Sequence, residues 1–136
     1  DNLEFYWKHH ISNNFDATFM DNVIDGCNYE IIKLDSLKYS HKKGSFLDRS
    51  ELCSRYIRLN RNKFKIFQIP GPKFLIRKDL RLTVDYPEDL ILMRKIFQKF
   101  NLKNLNFMKI VKLISKIENK KLIRKFITSG YKNMYL

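Results

Sequence analysis

The chain has 136 residues, 44% of them hydrophobic, which is enough for one domain with a genuine core. No apolar run approaches the roughly 20 residues that span a bilayer, and the opening DNLEFYWKHH lacks the basic-then-apolar pattern of a secretory leader, so a cytoplasmic protein without a transmembrane segment is expected. The formal charge is +13, and the only two cysteines, Cys27 and Cys53, have neither metal-ligand spacing nor the number for a disulfide framework.

Leu3, Phe5, Tyr6 and Trp7 run into His9, His10 and Ile11 as a first helix. Adjacent histidines on a helix point about 100° apart and cannot share one metal, so both read as surface or packing residues. Ser12, Asn13 and Asn14 end that helix, and Phe15 to Met20 alternates as a strand. Asp25-Gly26 is a tight-turn signal, followed by the strand formers of Tyr29 to Leu34. Asp35 to His41 predicts a short helix capped by Asp35 or Ser36 and closed by Lys42-Lys43-Gly44. Asp48 to Leu59 predicts a second helix, with Leu52, Tyr56 and Leu59 inward and Glu51, Arg55 and Arg58 outward. Arg49, Arg55, Arg58 and Arg61 then form a solvated basic ridge. Phe64 to Ile69 alternates as a strand, and Pro70, Gly71 and Pro72 force an exposed loop.

The organising stretch is LRLTVDYPEDLILMRKIF, Leu80 to Phe97. Leu80, Leu82 and Val84 alternate with Arg81 and Thr83, as in a strand with one face on a core. Pro87 ends that strand and suits the first turn of a helix whose stripe is Leu90, Met93, Ile96, Phe97 and Phe100. Asp85 sits at the junction. It reads either as a helix cap, with Glu88 completing a capping box, or as a carboxylate at the ligand-binding edge of an α/β sheet. Beyond it, a helix over about Asn106 to Ile117 carries Phe107, Ile110, Val111, Ile114 and Ile117 on one stripe with lysines opposite. From Asn101 to Leu136 nine basic residues face Glu118 alone, a local charge of +8 that attracts anions.

The run Val84, Asp85, Pro87, Glu88, Asp89, Leu90 resembles the V-D-T-P-E-D-L signature of the cytidylyltransferases of sugar-nucleotide synthesis, with Tyr86 in place of Thr. This is the family of the spore-coat polysaccharide, acylneuraminate and 3-deoxy-manno-octulosonate types. Two further stretches are similar to it. Asp25, Gly26 and Glu30 match a D-G-x-D-x-E turn, with Asn28 for the second Asp; Glu51 and Tyr56 match R-E-H-V-T-x-Y-I, with Leu52 for His. The resemblance implies a partial Rossmann-like nucleotide-diphospho-sugar transferase fold, three layers α/β/α with a mixed sheet. It implies Asp85 as a ligand for Mg2+ and Asp25 and Glu30 as sugar-binding residues. CTP and an acidic or amino sugar would be the substrates of the complete enzyme, and a homodimer is left open.

No Gly-rich loop follows a strand, so no phosphate cradle of the usual kind is encoded. The family keeps its nucleotide loop in an N-terminal half. The expectation is therefore residues 1–100 as the C-terminal half of a nucleotidyltransferase-like α/β domain, with 101–136 as a basic helical extension packed on it. As the entire polypeptide it would be inactive alone. The rival expectations are a basic module binding nucleic acid or an acidic membrane through Asn106 to Lys125, and a fragment completed by a partner chain. Nucleic acid is disfavoured because the aromatics follow core-like spacing and do not form a stacking platform.

Overall fold

The computed structural model describes residues 2–49, 52–77, 80–99 and 107–116. These divide into two compact units, one built from residues 2–21 and 28–71 and the other from 22–27 and the described residues after 71. The short segment 22–27 thus leaves the first unit after one strand and returns before the next. The domain boundary expected at residue 100 lies outside the described residues.

The first unit opens with α1 (Asn2–Ser12), ended by Asn14 in the left-handed region, φ 50°. Strand β1 (Ala17–Phe19) pairs antiparallel with β2 (Glu30–Ile32) and parallel with β3 (Ile66–Gln68), giving a mixed three-stranded sheet of order β2-β1-β3. A parallel pair needs a crossover, and the helices α2 (Leu34–Lys43) and α3 (Arg55–Leu59) lie within it. The core joins Ala17, Phe19 and Ile57, all fully buried, with Ile32, Phe64 and Ile66 packed against them. Tyr6, His9, Phe15 and Phe67 form an aromatic cluster between α1 and β3.

Two expectations change here. Helix α2 starts from Lys33 without a side-chain cap, because the Ser36 hydroxyl donates instead to Asp16 Oδ1 at 2.8 Å. The helix expected over Asp48 to Leu59 is instead a 3₁₀ turn at Phe46–Arg49 and the short α3. Asp48 closes the turn by accepting from the Ser45 N–H and hydroxyl, each at 2.8 Å.

The second unit contains α4 (Pro87–Lys99) and α5 (Phe107–Lys116). Its core is Ile24, Leu80, Leu92, Ile96, Ile110 and Val111, with Cys27, Leu75, Leu82 and Met93 against it. Pro87 takes the first helical position, as expected. The buried side of α4 keeps Met93 and Ile96 of the expected stripe and adds Leu92, whereas Leu90 and Phe97 are exposed and Phe100 lies outside the described residues. In α5, Ile110 and Val111 are buried while Lys109 and Lys112 face solvent. Leu80 to Val84 forms no strand. A single parallel bridge joins Arg81 to Asp25, and Val84 is exposed. Among the described residues no helix is long and apolar enough to cross a membrane.

Candidate functional site

In the second unit the Asp25-Gly26 turn lies directly on residues 81–83. The Leu82 N–H donates to the Asp25 carbonyl at 2.8 Å. Gly26 has φ +92°, and a Cβ there would stand 3.0 Å from the Leu82 carbonyl carbon and 3.2 Å from the Thr83 methyl. Glycine is thus required twice, for the left-handed backbone and for the close approach. The approach carries the Asp25 carboxylate to Arg81, whose guanidinium is buried.

Arg81 gathers three carboxylates. Its Nη2 pairs with Asp85, and its Nε lies 3.8 Å from Asp25 Oδ2 and 3.5 Å from Asp89 Oδ2. The Tyr86 ring lies 5.1 Å from the guanidinium carbon. Burial pushes the Asp25 carboxyl above its usual range, Arg81 opposes that rise, and Asp85 and Asp89 add to it. Arg81 Nε and Thr83 Oγ1 are buried without a hydrogen bond among the described residues.

Asp89, three residues into the structure of α4, performs the capping. Its Oδ2 accepts from the backbone N–H groups of Asp85 and Tyr86, both at 3.0 Å. This is the carboxylate half of a capping box, placed one residue later than the sequence suggested. The Asp85 side chain is 60% exposed. Its oxygen donor suits Mg2+, which is ordinarily held through one or two carboxylates and substrate phosphates. Among the described residues no three His, Cys, Asp or Glu side chains form a metal cage of their own.

A second polar cluster belongs to the first unit. Arg58, expected on a solvated ridge, is buried and forks onto Asp21 with bonds of 2.9 and 2.8 Å. Its Nη2 also donates to Glu30 Oε1 at 2.5 Å, and its Nε to the fully buried Ser54 hydroxyl at 3.0 Å. Ser54 in turn donates to Glu30 at 2.9 Å, and the guanidinium stacks 3.9 Å above the Phe19 ring. Burial opposes the Arg58 charge, but the Asp21 and Glu30 contacts outweigh it and raise its pKa.

Asp25 and Asp85 are therefore brought to one guanidinium, whereas Glu30 has its carboxylate engaged by Arg58 and Ser54. Sequence reasoning missed Arg81, Asp89, Arg58 and Asp21. Asp89 carried a local signal, an acid in the first helical turn. The contacts of Arg58 with Asp21 and Glu30 and of Arg81 with Asp25 are set by tertiary structure and had none.

No protein-family profile matches the chain. An uncharacterized protein of Methanocaldococcus jannaschii is 31% identical over 106 residues, covering 78% of this chain and 44% of that protein. A solved cytidylyltransferase from Leptospira borgpetersenii serovar Hardjo-bovis superposes with a TM-score of 0.72 at 20% identity, covering 87% of this chain and 51% of that one. The chain thus shares the α/β fold of that solved structure and spans about half the length of the proteins it matches.

Proposed function

We propose that the chain is the C-terminal half of a sugar nucleotidyltransferase of the CMP-sugar type, serving cell-surface polysaccharide synthesis and inactive without a nucleotide-binding half. The observation that carries this reading is the fold likeness to a cytidylyltransferase over 87% of the chain. The V-D-Y-P-E-D-L run at Val84 to Leu90 supports it independently. In the reaction an oxygen of the acceptor sugar attacks the α-phosphorus of CTP and pyrophosphate leaves. Asp85 would hold Mg2+, which when bound neutralises phosphate charge. Arg81 fixes the Asp85 carboxylate at the start of α4, and Asp25 is the sugar-side carboxylate of this reading. The basic-module alternative has less support, because Ile110 and Val111 of α5 are spent in a core and are not free for a membrane.

The test is pyrophosphate release from CTP and Mg2+ with a panel of acidic and amino sugars, using a polypeptide in which the nucleotide-binding half is restored. Activity is expected there, and Asp85→Asn should remove most of it while leaving the melting temperature nearly unchanged. The 136-residue chain alone should neither bind CTP tightly nor release pyrophosphate. Micromolar CTP affinity in calorimetry of that chain would overturn the half-enzyme reading.

A further inference from the structure

The Arg81 side chain is 8% exposed, and three carboxylates of its own unit face it. Asp85 is hydrogen-bonded to it through Nη2. The Nε–H is buried and has no hydrogen-bond partner among the described residues, although Asp25 Oδ2 stands 3.8 Å away and Asp89 Oδ2 3.5 Å away. An N–H···O bond closes at about 2.9 Å, and a buried donor left unmade is costly. One donor of the guanidinium thus stands between two acceptors and reaches neither.

Those acceptors are not equally able to move. Asp89 Oδ2 already accepts from the backbone N–H groups of Asp85 and Tyr86, both at 3.0 Å, and shifting it would open the cap of α4. Asp25 is anchored by its backbone, whose carbonyl accepts from the Leu82 N–H. Its carboxylate accepts from the Gly26 N–H, and two oxygens leave it acceptor capacity to spare. Side-chain rotation can therefore bring Asp25 to Nε with the backbone contact intact. Arg81 is held in place by its bridge to Asp25 and by the Tyr86 ring 5.1 Å from the guanidinium carbon. Asp85, 60% exposed against 17% for Asp25 and 14% for Asp89, is the carboxylate that solutes reach.

We propose that Arg81 is a positioning residue that passes the charge of Asp85 to Asp25. Whatever takes up the Asp85 charge, a bound cation included, leaves a buried guanidinium short of its counterion. Arginine does not deprotonate in proteins, and a buried charge left uncompensated is strongly unfavourable. The Asp25 carboxylate then closes on the Nε donor. This exchange of carboxylates is a property of the chain itself. Its use rests on the proposed function: a cation at Asp85 sets the orientation of the sugar-side carboxylate, so metal and acceptor affinities are linked.

The test is nuclear magnetic resonance on the 136-residue chain, labelled with ¹⁵N-arginine and ¹³C-aspartate and held at constant pH. The Arg81 Nε–H resonance is assigned by its loss in Arg81→Lys, and the Asp25 and Asp85 carboxyl resonances by their loss in Asp25→Asn and Asp85→Asn. Asp85→Asn should leave the circular dichroism unchanged, slow exchange of the Arg81 Nε–H with water about fivefold or more, and shift the Asp25 carboxyl resonance. Mg2+ alone, titrated into the unsubstituted chain, should reproduce both changes. An Nε–H and an Asp25 carboxyl unmoved by Asp85→Asn would overturn the proposal. So would Mg2+ that moves the Asp85 carboxyl resonance and neither of the others, or slowing that persists when Asp25→Asn is added to Asp85→Asn. If Asp85→Asn gives both changes but Mg2+ leaves the Asp85 carboxyl resonance in place, the exchange stands and the metal role of Asp85 in the proposed function falls.

Discussion

Arg58 shows why a charged residue on a short helix cannot be placed by its neighbours in sequence. Its fork onto Asp21 and its bonds to Glu30 and Ser54 satisfy a buried guanidinium, and removing it strands two carboxylates. Arg58→Ala should therefore cost about 3–5 kcal/mol in urea unfolding, whereas an exposed ridge residue would cost under about 0.5 kcal/mol. At the start of α4 the roles of two acids separate. Asp89→Ala should cost about 1 kcal/mol through loss of the cap, while Asp85→Asn should cost under about 1 kcal/mol, because the exposed Asp85 side chain does not cap, its amide oxygen still accepts from Arg81, and Asp25 and Asp89 still balance that guanidinium. His10 supplies a pH dependence. Its Nδ1 shares a 2.8 Å hydrogen bond with Thr18 Oγ1, and burial lowers its pKa below the usual 6.5 despite Asp16, with Lys33 adding to the fall. The unfolded chain then binds more protons than the folded one below pH 6.5, so stability is full above that value and declines as pH falls toward the folded pKa. The urea midpoint should drop between pH 7.5 and 5.5, and His10→Gln should flatten that slope; an unchanged slope would show that His10 is not its source.

At the scale of elements, the pattern of α1, β1, β2, α2, β3, α4 and α5 was legible, because each is announced by periodicity or by a Pro, Gly or Asn stop. The stretch from Leu80 to Val84 was not, for a physical reason. Period-two reading sends Arg81 outward on account of its charge, but Asp25, Asp85 and Asp89 make its burial tolerable, and the adjacent Leu80 and Arg81 are both buried, which strict alternation does not allow. The helix expected over Asp48 to Leu59 failed similarly, since Asp48 spends its carboxylate on Ser45 and Arg55. The Asp25-Gly26 turn was read correctly as a turn, but its position against Leu82 and Thr83 is tertiary information. Gly26→Ala should cost at least about 1–2 kcal/mol, because it combines a positive φ with a Cβ 3.0 Å from backbone. A cost below about 0.5 kcal/mol would mean that the turn relaxes away from residues 82 and 83.

For the whole molecule, the charge of +13 is a statement about association and not about fold. Nucleic-acid binding should be weak, sequence-independent and steeply salt-dependent, because it would rest on phosphate contacts alone. A gel shift showing sequence-selective, sub-micromolar binding at physiological salt would move the functional reading to a basic module. The candidate site was half legible. Asp25 and Asp85 were selected in advance and do meet, but the cation that joins them was not foreseen.

The brief excursion of residues 22–27 also has a meaning in time. Ile24 belongs to a core whose other members run from Leu80 to Val111, and its N–H is bonded to the Leu75 carbonyl. During synthesis at about 5–20 residues per second, Ile24 is made several seconds before any of these partners exists. If the sheet closes before residues 75–111 are free to pack, Val23 and Ile24 stay in water until the second core assembles, so the order in which the two cores close decides how long this apolar pair is exposed.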